Sequence, residues 1–175
     1  MTATNYLITG RDKHYLLHEI RNALKTATNI EIAVSFIRNS GLSLIIQDIE
    51  DAMASPERKV KLSLLTSDYM NITEPQALKR LMLLKERGAD IRIFESKQAT
   101  SFHLKSYIFV RNDGKNLATA CAFVGSSNIS KTALTDGIEW NYRINYPNDN
   151  DLEAIARIEE IREQYNYLLT LPQVK

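Results

Sequence analysis

With 175 residues, 44% hydrophobic and 25% charged, the chain has the size and composition of one soluble globular domain with a substantial core. Its formal net charge of +1 carries no strong basic signature. Its single cysteine, Cys121, supports no internal disulfide framework, which suits a cytoplasmic protein. The opening MTATNYLITGRDKH lacks the apolar centre of a signal peptide, and no apolar run approaches the ~20 residues that span a bilayer.

Taken in order, a short strand is expected at residues 5–9. A helix follows over 12–27, burying Leu16, Ile20, Ala23, Leu24 and Ala27. His14 and His18 fall four apart on it. That spacing could hold a metal, but no acid or cysteine completes the set, so a partly exposed helix face is the better reading. IEIAVSF, 30–36, reads as a buried strand. Ser40-Gly41 reads as a break before a helix to Met53, and Pro56 marks a turn. A strand is expected at 59–66. Thr73-Glu74-Pro75-Gln76 reads as a capping box. The helix behind it should bury Leu78, Leu81, Met82 and Leu84 and end at Gly88, before a strand at 89–94. This β-α-β-α-β order implies parallel strands with right-handed crossovers.

The most informative stretch is 101–141. Residues 102–110 are rich in aromatic and β-branched side chains, as strands are. Alternation places His103 and Lys105 on one face, with Tyr107 and Phe109 beyond. A second apolar run, 118–124, ends in Gly125-Ser126-Ser127-Asn128, a sharp exit lined with hydroxyl and amide groups. Ser130 could cap a short helix through Leu134. Ile138, Trp140, Tyr142 and Ile144 then alternate with Glu139, Asn141, Arg143 and Asn145, which reads as a strand with Glu139 on its polar face. A last helix should start within 148–151 and run to Leu169 on Ile155, Ile158, Ile161, Tyr165 and Leu168. The expected architecture is a single α/β/α sandwich, residues 1–175, around a mixed, largely parallel sheet. Ser35 and Thr66, near strand ends, read as ordinary strand-end polarity rather than pocket residues. Cys121 reads as a small buried hydrophobe.

Charge is uneven despite the near-neutral total. From Lys97 to Arg143 six basic residues face three acids, and from Asp149 to Glu163 six acids face two arginines. Local anion binding is therefore compatible with the whole-chain balance.

His103-x-Lys105, then Gly125-Ser126-x-Asn128, then Glu139 resembles the HKD motif of the phospholipase D superfamily. The likeness is greatest to the domains associated with DEAD/DEAH-type helicases and some restriction endonucleases, where Gly-Ser-Ser-Asn and Glu-Trp-Asn recur. One position departs: the aspartate that names the motif would fall at Val110. On a regular strand that position faces away from His103, so Glu139 remains to act on the histidine.

The resemblance implies a phospholipase D/nuclease-like fold and a metal-independent phosphodiesterase without cofactor. His103 would attack phosphorus and form a phosphohistidine. Lys105 and Asn128, helped by Ser126, would hold the non-bridging oxygens, and Glu139 would fix the His103 ring. A single His-x-Lys set implies a homodimer with His103 of each subunit across a twofold axis. DNA is the expected substrate, with no membrane partner. The chain would be an accessory nuclease domain, in the manner of an N-terminal fragment of a longer helicase or restriction protein. Two further readings stay open: a non-catalytic nucleic-acid-binding or dimerisation module, and a hydrolase of phospholipids or small phosphodiesters.

Overall fold

The computed structural model of the protein describes residues 6–96, 101–147 and 151–175, with only the backbone of residue 151. Seven strands form one mixed sheet: β1 (Leu7–Ile8), β2 (Asn29–Val34), β3 (Lys61–Ser67), β4 (Asp90–Phe94), β5 (Lys105–Asp113), β6 (Asn116–Gly125) and β7 (Asn141–Tyr146). Among the described residues five α-helices accompany them: α1 (Leu16–Leu24), α2 (Asn39–Ala54), α3 (Pro75–Glu86), α4 (Lys131–Leu134) and α5 (Asp151–Leu169). The strand order is β1-β7-β6-β5-β2-β3-β4.

The sheet is mixed, as expected, but its parallel part is smaller than the sequence suggests. Only β2, β3 and β4 run parallel. The ladders β2–β5, β5–β6, β6–β7 and β1–β7 are antiparallel. The helical crossovers force the parallel half. Tight connections, such as the turn at Gly114 between β5 and β6, allow the antiparallel half.

Alternation along the strands supplies two cores. Ile30 and Ile32 of β2, Leu64 of β3 and Tyr107 and Phe109 of β5 pack with α1, α2 and α3 on one face. Ala33, Leu65, Ile108, Val110 and Ala122 pack with Ala154, Ile158 and Tyr165 of α5 on the other. Val110 is thus on the face opposite Lys105 and inside the second core. Arg162 of α5 also grips the buried Glu31 of β2 through Nε and Nη2, at 2.6–3.1 Å. At the β4 edge the C-terminal segment exchanges two backbone bonds between Ile93 and Lys175, at 2.9 and 3.0 Å, so that edge is covered.

Several expectations are corrected. Ser40 and Gly41 do not break the chain; they form the first turn of α2. Gly41 is required by close approach rather than flexibility. A Cβ there would lie 2.4 Å from Ser130 N and 2.6 Å from the Ile129 carbonyl carbon. The capping box is absent: Glu74, not Thr73, is the N-cap of α3, without a side-chain bond. Glu74 instead accepts from the Asn39 N–H at 2.7 Å, at the start of α2. Met82 is half exposed, and Ala77 takes its expected place in the core. His14 precedes α1 and bonds Glu19 at 2.5 Å, so His14 and His18 are not one turn apart on a helix. The last helix begins where expected, next to residues 148–150, which lie outside the described residues.

Candidate active site

One end of the sheet collects the polar residues singled out from the sequence. There β2 and β3 end, β5 begins at Lys105 opposite Val34, and β6 ends at Gly125 opposite Asn141 of β7. This is the carboxyl end of the parallel strands, where open α/β sheets place ligands.

His103 lies just before β5 rather than on it. Its side chain is exposed, and its ring meets the edge of Tyr69 at a centroid distance of 6.2 Å. The segment carrying it is braced from behind. Ser35 Oγ donates to the Leu104 carbonyl at 3.4 Å, and Ser67 Oγ donates to the Ser35 carbonyl at 2.6 Å. Ser35 thus braces the segment that carries His103. Thr66 is fully buried, and its hydroxyl has no hydrogen-bond partner among the described residues.

Lys105 is only 4% exposed. Its ammonium donates to the His103 carbonyl at 2.9 Å, and among the described residues it makes no ion pair. Burial pulls its pKa below that of an ordinary lysine, while the negative charge of nearby Glu139 pulls it back up. Tyr107, two residues along the same face, donates its hydroxyl to the Ser127 carbonyl at 2.9 Å. Burial, and then Glu139, push that hydroxyl up.

The Gly125–Asn128 turn is held by a network that the sequence pattern did not reveal. Asn141 Nδ2 donates to Ser127 Oγ at 2.8 Å, and Ser127 Oγ donates to the Ala133 carbonyl at 3.1 Å. Both side chains are buried. Gly125 is needed because a Cβ would lie 2.1 Å from the Trp140 carbonyl oxygen and 2.6 Å from Asn141 Cα. Asn128, 7% exposed, accepts from the Phe36 N–H at 3.1 Å. Its Nδ2 donates to no described residue. Ser130 caps α4 as expected, accepting from the Ala133 N–H at 3.2 Å.

Glu139 departs from its expected partner. Ser126 Oγ donates to its carboxylate and also accepts from the Trp140 N–H at 3.1 Å. No bond joins Glu139 to His103 among the described residues. Glu139 also lies outside a strand, because β7 begins only at Asn141. The expected apolar face is mostly open: Ile138, Trp140 and Tyr142 are 99%, 65% and 46% exposed, and only Ile144 is buried. Beside them a groove of about 510 Å³ runs between the sheet and α5, lined by Leu104, Val124, Ile144, Ile161 and Leu168 among others. Cys121 plays no part; burial pushes its thiol up to about 12.

Tyr69 and Asn141 were not read from the sequence as parts of the candidate site, and Ser127, read there as a hydroxyl donor, is turned inward to Asn141 and Ala133. Asn141 stood in the pattern as a polar strand position and Ser127 as one more turn hydroxyl. Nothing in the sequence marks Tyr69, whose approach depends on the irregular turn after β3, where Met70 and Asn71 have φ of 53° and 55°.

Similarity to known proteins agrees with this fold. The family model described as cardiolipin synthase, PLD-like domain, matches residues 16–165. No curated protein matches by sequence. Among solved structures the fold is similar to NucT from Helicobacter pylori, at 18% identity, TM-score 0.57, covering 90% of this chain and 94% of that one. It is also similar to Nuc from Salmonella typhimurium, a phospholipase D family member, at 20% identity, TM-score 0.54, covering 90% and 88%. TrmBL2, an archaeal chromatin protein, is similar at 14% identity and TM-score 0.54, covering 95% of this chain and 54% of that one. The chain belongs to the PLD-like domain family of the phospholipase D superfamily, and phosphodiesterase-type chemistry is its general class of activity.

Proposed function

We propose that the protein is a metal-independent nuclease that cleaves DNA phosphodiesters through a phosphohistidine on His103. The observation that carries this reading is the buried Lys105. A buried ammonium without a carboxylate in contact is costly unless an anion completes its surroundings. Its ammonium bonds the backbone of His103, whose side chain is exposed, and the same end of the sheet carries the buried Asn128, whose Nδ2 is uncommitted. A phosphodiester fits that arrangement.

In the proposed reaction an imidazole nitrogen of His103 attacks phosphorus, forming an N–P bond as the P–O bond to the leaving strand breaks. Lys105 and Asn128 stabilise the charge growing on the non-bridging oxygens. His103 of a second copy protonates the departing oxygen, and water then attacks phosphorus and restores the imidazole. Glu139, held by Ser126, contributes negative charge that raises the Lys105 pKa against the larger effect of burial. It becomes free to orient His103 when Ser126 turns to substrate. The second copy would cover the apolar strip of Ile138, Trp140 and Tyr142 as the two histidines meet. TrmBL2, whose structure shows a mode of DNA binding, supports a nucleic-acid role for the fold. The domain would serve a helicase or restriction activity carried elsewhere.

The groove beside Leu104 favours a second reading, hydrolysis of a phospholipid whose acyl chains lie on that apolar surface. Plasmid nicking with EDTA present tests the first reading, together with trapping of an acid-labile phosphoramidate on His103. Nicking lost in His103→Ala supports it. Turnover of phospholipid vesicles without nicking supports the second. Binding without any turnover identifies a non-catalytic module.

A further inference from the structure

A broad cleft lies at the other end of the sheet. Its volume is about 640 Å³, and it opens between the end of α1, the turn before β3 and the β5–β6 turn. Lys25, Arg58, Lys59, Lys61 and Arg111 line it against two acids, Glu57 and Asp113, in a chain whose net charge is only +1.

These cations are not equivalent. Arg58 donates to the carbonyls of Leu24 and Ala27 at 2.8 and 3.3 Å and so closes the end of α1. Lys25 reaches Asn22 Oδ1 at 3.2 Å. Lys59, Lys61 and Arg111 are exposed, and among the described residues their side chains have no ion pair or hydrogen bond. Lys59 moreover has φ of 48°, a left-handed conformation that glycine adopts more easily. A lysine there supplies charge at the expense of backbone comfort. In the floor, Asn29 Oδ1 already accepts from Thr28 Oγ1 and Asn112 Nδ2 at 3.1 and 3.2 Å. Only its NH₂ remains to meet a ligand, and that group is a donor.

We infer that this cleft holds the phosphate backbone of a nucleic acid, away from the bond that is cut. Asn29 lines the cleft and Val34, at the other end of β2, pairs with Lys105. The five steps from Asn29 to Val34, at ~3.3 Å each, place the two regions roughly 17 Å apart. The free cations come from separate elements and stay in water. Such a set suits successive phosphates along a polymer better than one small anion, which would need converging, desolvated donors. The inference rests on the nucleic-acid substrate proposed above and extends it to a second point of contact.

The test compares binding of a labelled duplex of about 20 base pairs, ~70 Å long, with turnover of bis(p-nitrophenyl) phosphate. The proteins are wild type, Lys59→Gly and the double variant Lys61→Glu/Arg111→Glu. Lys59→Gly removes a cation while easing the backbone, so it also guards against misfolding. Expected are an affinity loss of about 10-fold or more in the double variant, a salt slope shallower by roughly 1 to 2, a smaller loss in Lys59→Gly, and unchanged turnover of the small ester. Unchanged duplex affinity and slope in the folded variants overturn the inference. So does a wild type that binds no duplex, or stoichiometric displacement of the duplex by inorganic phosphate. If binding depends on the cleft but nothing is cleaved, the nuclease reading fails and the second contact stands. If DNA is cleaved and the cleft variants bind like wild type, the reverse holds.

Discussion

The two ends of the sheet handle positive charge in opposite ways. At the Lys105 end one lysine is buried, its ammonium clipped to a backbone carbonyl and biased by Glu139. At the Lys59 end three cationic side chains stand in water without a described partner. Burial strengthens electrostatics and fixes geometry, which suits stabilising charge in a transition state. Exposure leaves charge screened and mobile, which suits gripping a polyanion in a salt-dependent way. If this division is right, variants at the first end should change turnover, and variants at the second should change affinity.

The largest effect is expected from His103. His103→Ala should lower DNA cleavage by ~10³-fold or more while leaving duplex affinity near wild type, since the nucleophile contributes to chemistry more than to binding. Single-turnover cleavage and equilibrium binding measured side by side check this. An equal loss in both would erase the contrast between the ends.

Lys105→Ala should cost ~10²–10³-fold in kcat. Its titration gives a sharper check. Because burial lowers its pKa, Lys105 loses its proton at lower pH than an ordinary lysine, so cleavage should fall with an alkaline limb below pH ~10.5. Glu139 pulls that pKa up, so Glu139→Gln should move the limb lower still. The stability term runs the other way. A lysine whose folded pKa is lowered penalises the fold fully below that pKa, and the penalty is relieved as pH rises towards the unfolded value. Loss of activity in this window is therefore not unfolding driven by Lys105. A pH–rate profile beside thermal melts separates the two.

Gly41→Ala tests whether the Lys105 end depends on close backbone approach. The added methyl would meet Ser130 and Ile129 backbone atoms at 2.4–2.6 Å, and α2 is also tied to them through the Arg38 N–H and the Ile129 carbonyl at 2.8 Å. Overpacking of this kind costs about 1–3 kcal/mol. Denaturant titration should show that loss, together with reduced cleavage, because the displaced segment carries Asn128. Trp140→Glu reads the apolar rim instead. It should lower the sedimentation mass from dimer to monomer and slow cleavage, with little change in melting temperature because Trp140 is largely exposed.

Much of this was legible in the sequence, and the reasons can be traced to particular residues. The buried strands could be read because Ile30, Ile32 and Tyr107-Ile108-Phe109 carry their own signal. Gly125, Ser126 and Asn128 could be found because a glycine at a strand exit is hard to replace. The start of α2 was misread because Gly41 answers to Ser130, nearly ninety residues away, and local rules treat glycine as a breaker. Thr73 and Glu74 were misread for the same reason: Glu74 serves α2 and Thr73 bonds the Ser67 carbonyl at 2.8 Å. The strand at Glu139 was overextended because Ile138 and Trp140 alternate correctly. Periodicity cannot tell an apolar face turned to the core from one left on the surface. Tyr69 and the Ser127–Asn141 pair meet their partners only in three dimensions.

The smallest effect is expected at the Lys59 end, and it most directly separates the two uses of charge. A single neutralisation, Lys61→Gln, removes one phosphate contact and should make the slope of log affinity against log salt shallower by about 0.9. Lys61 is exposed at the first residue of β3, so no buried group loses a partner and the melting temperature should hold. Turnover of a small phosphodiester should hold as well, because that substrate never reaches across the ~17 Å between the ends. If Lys61→Gln instead slowed the small ester, charge at the far end would be acting on Lys105 through the sheet. The two regions would then form one electrostatic unit rather than a chemical site and a separate grip.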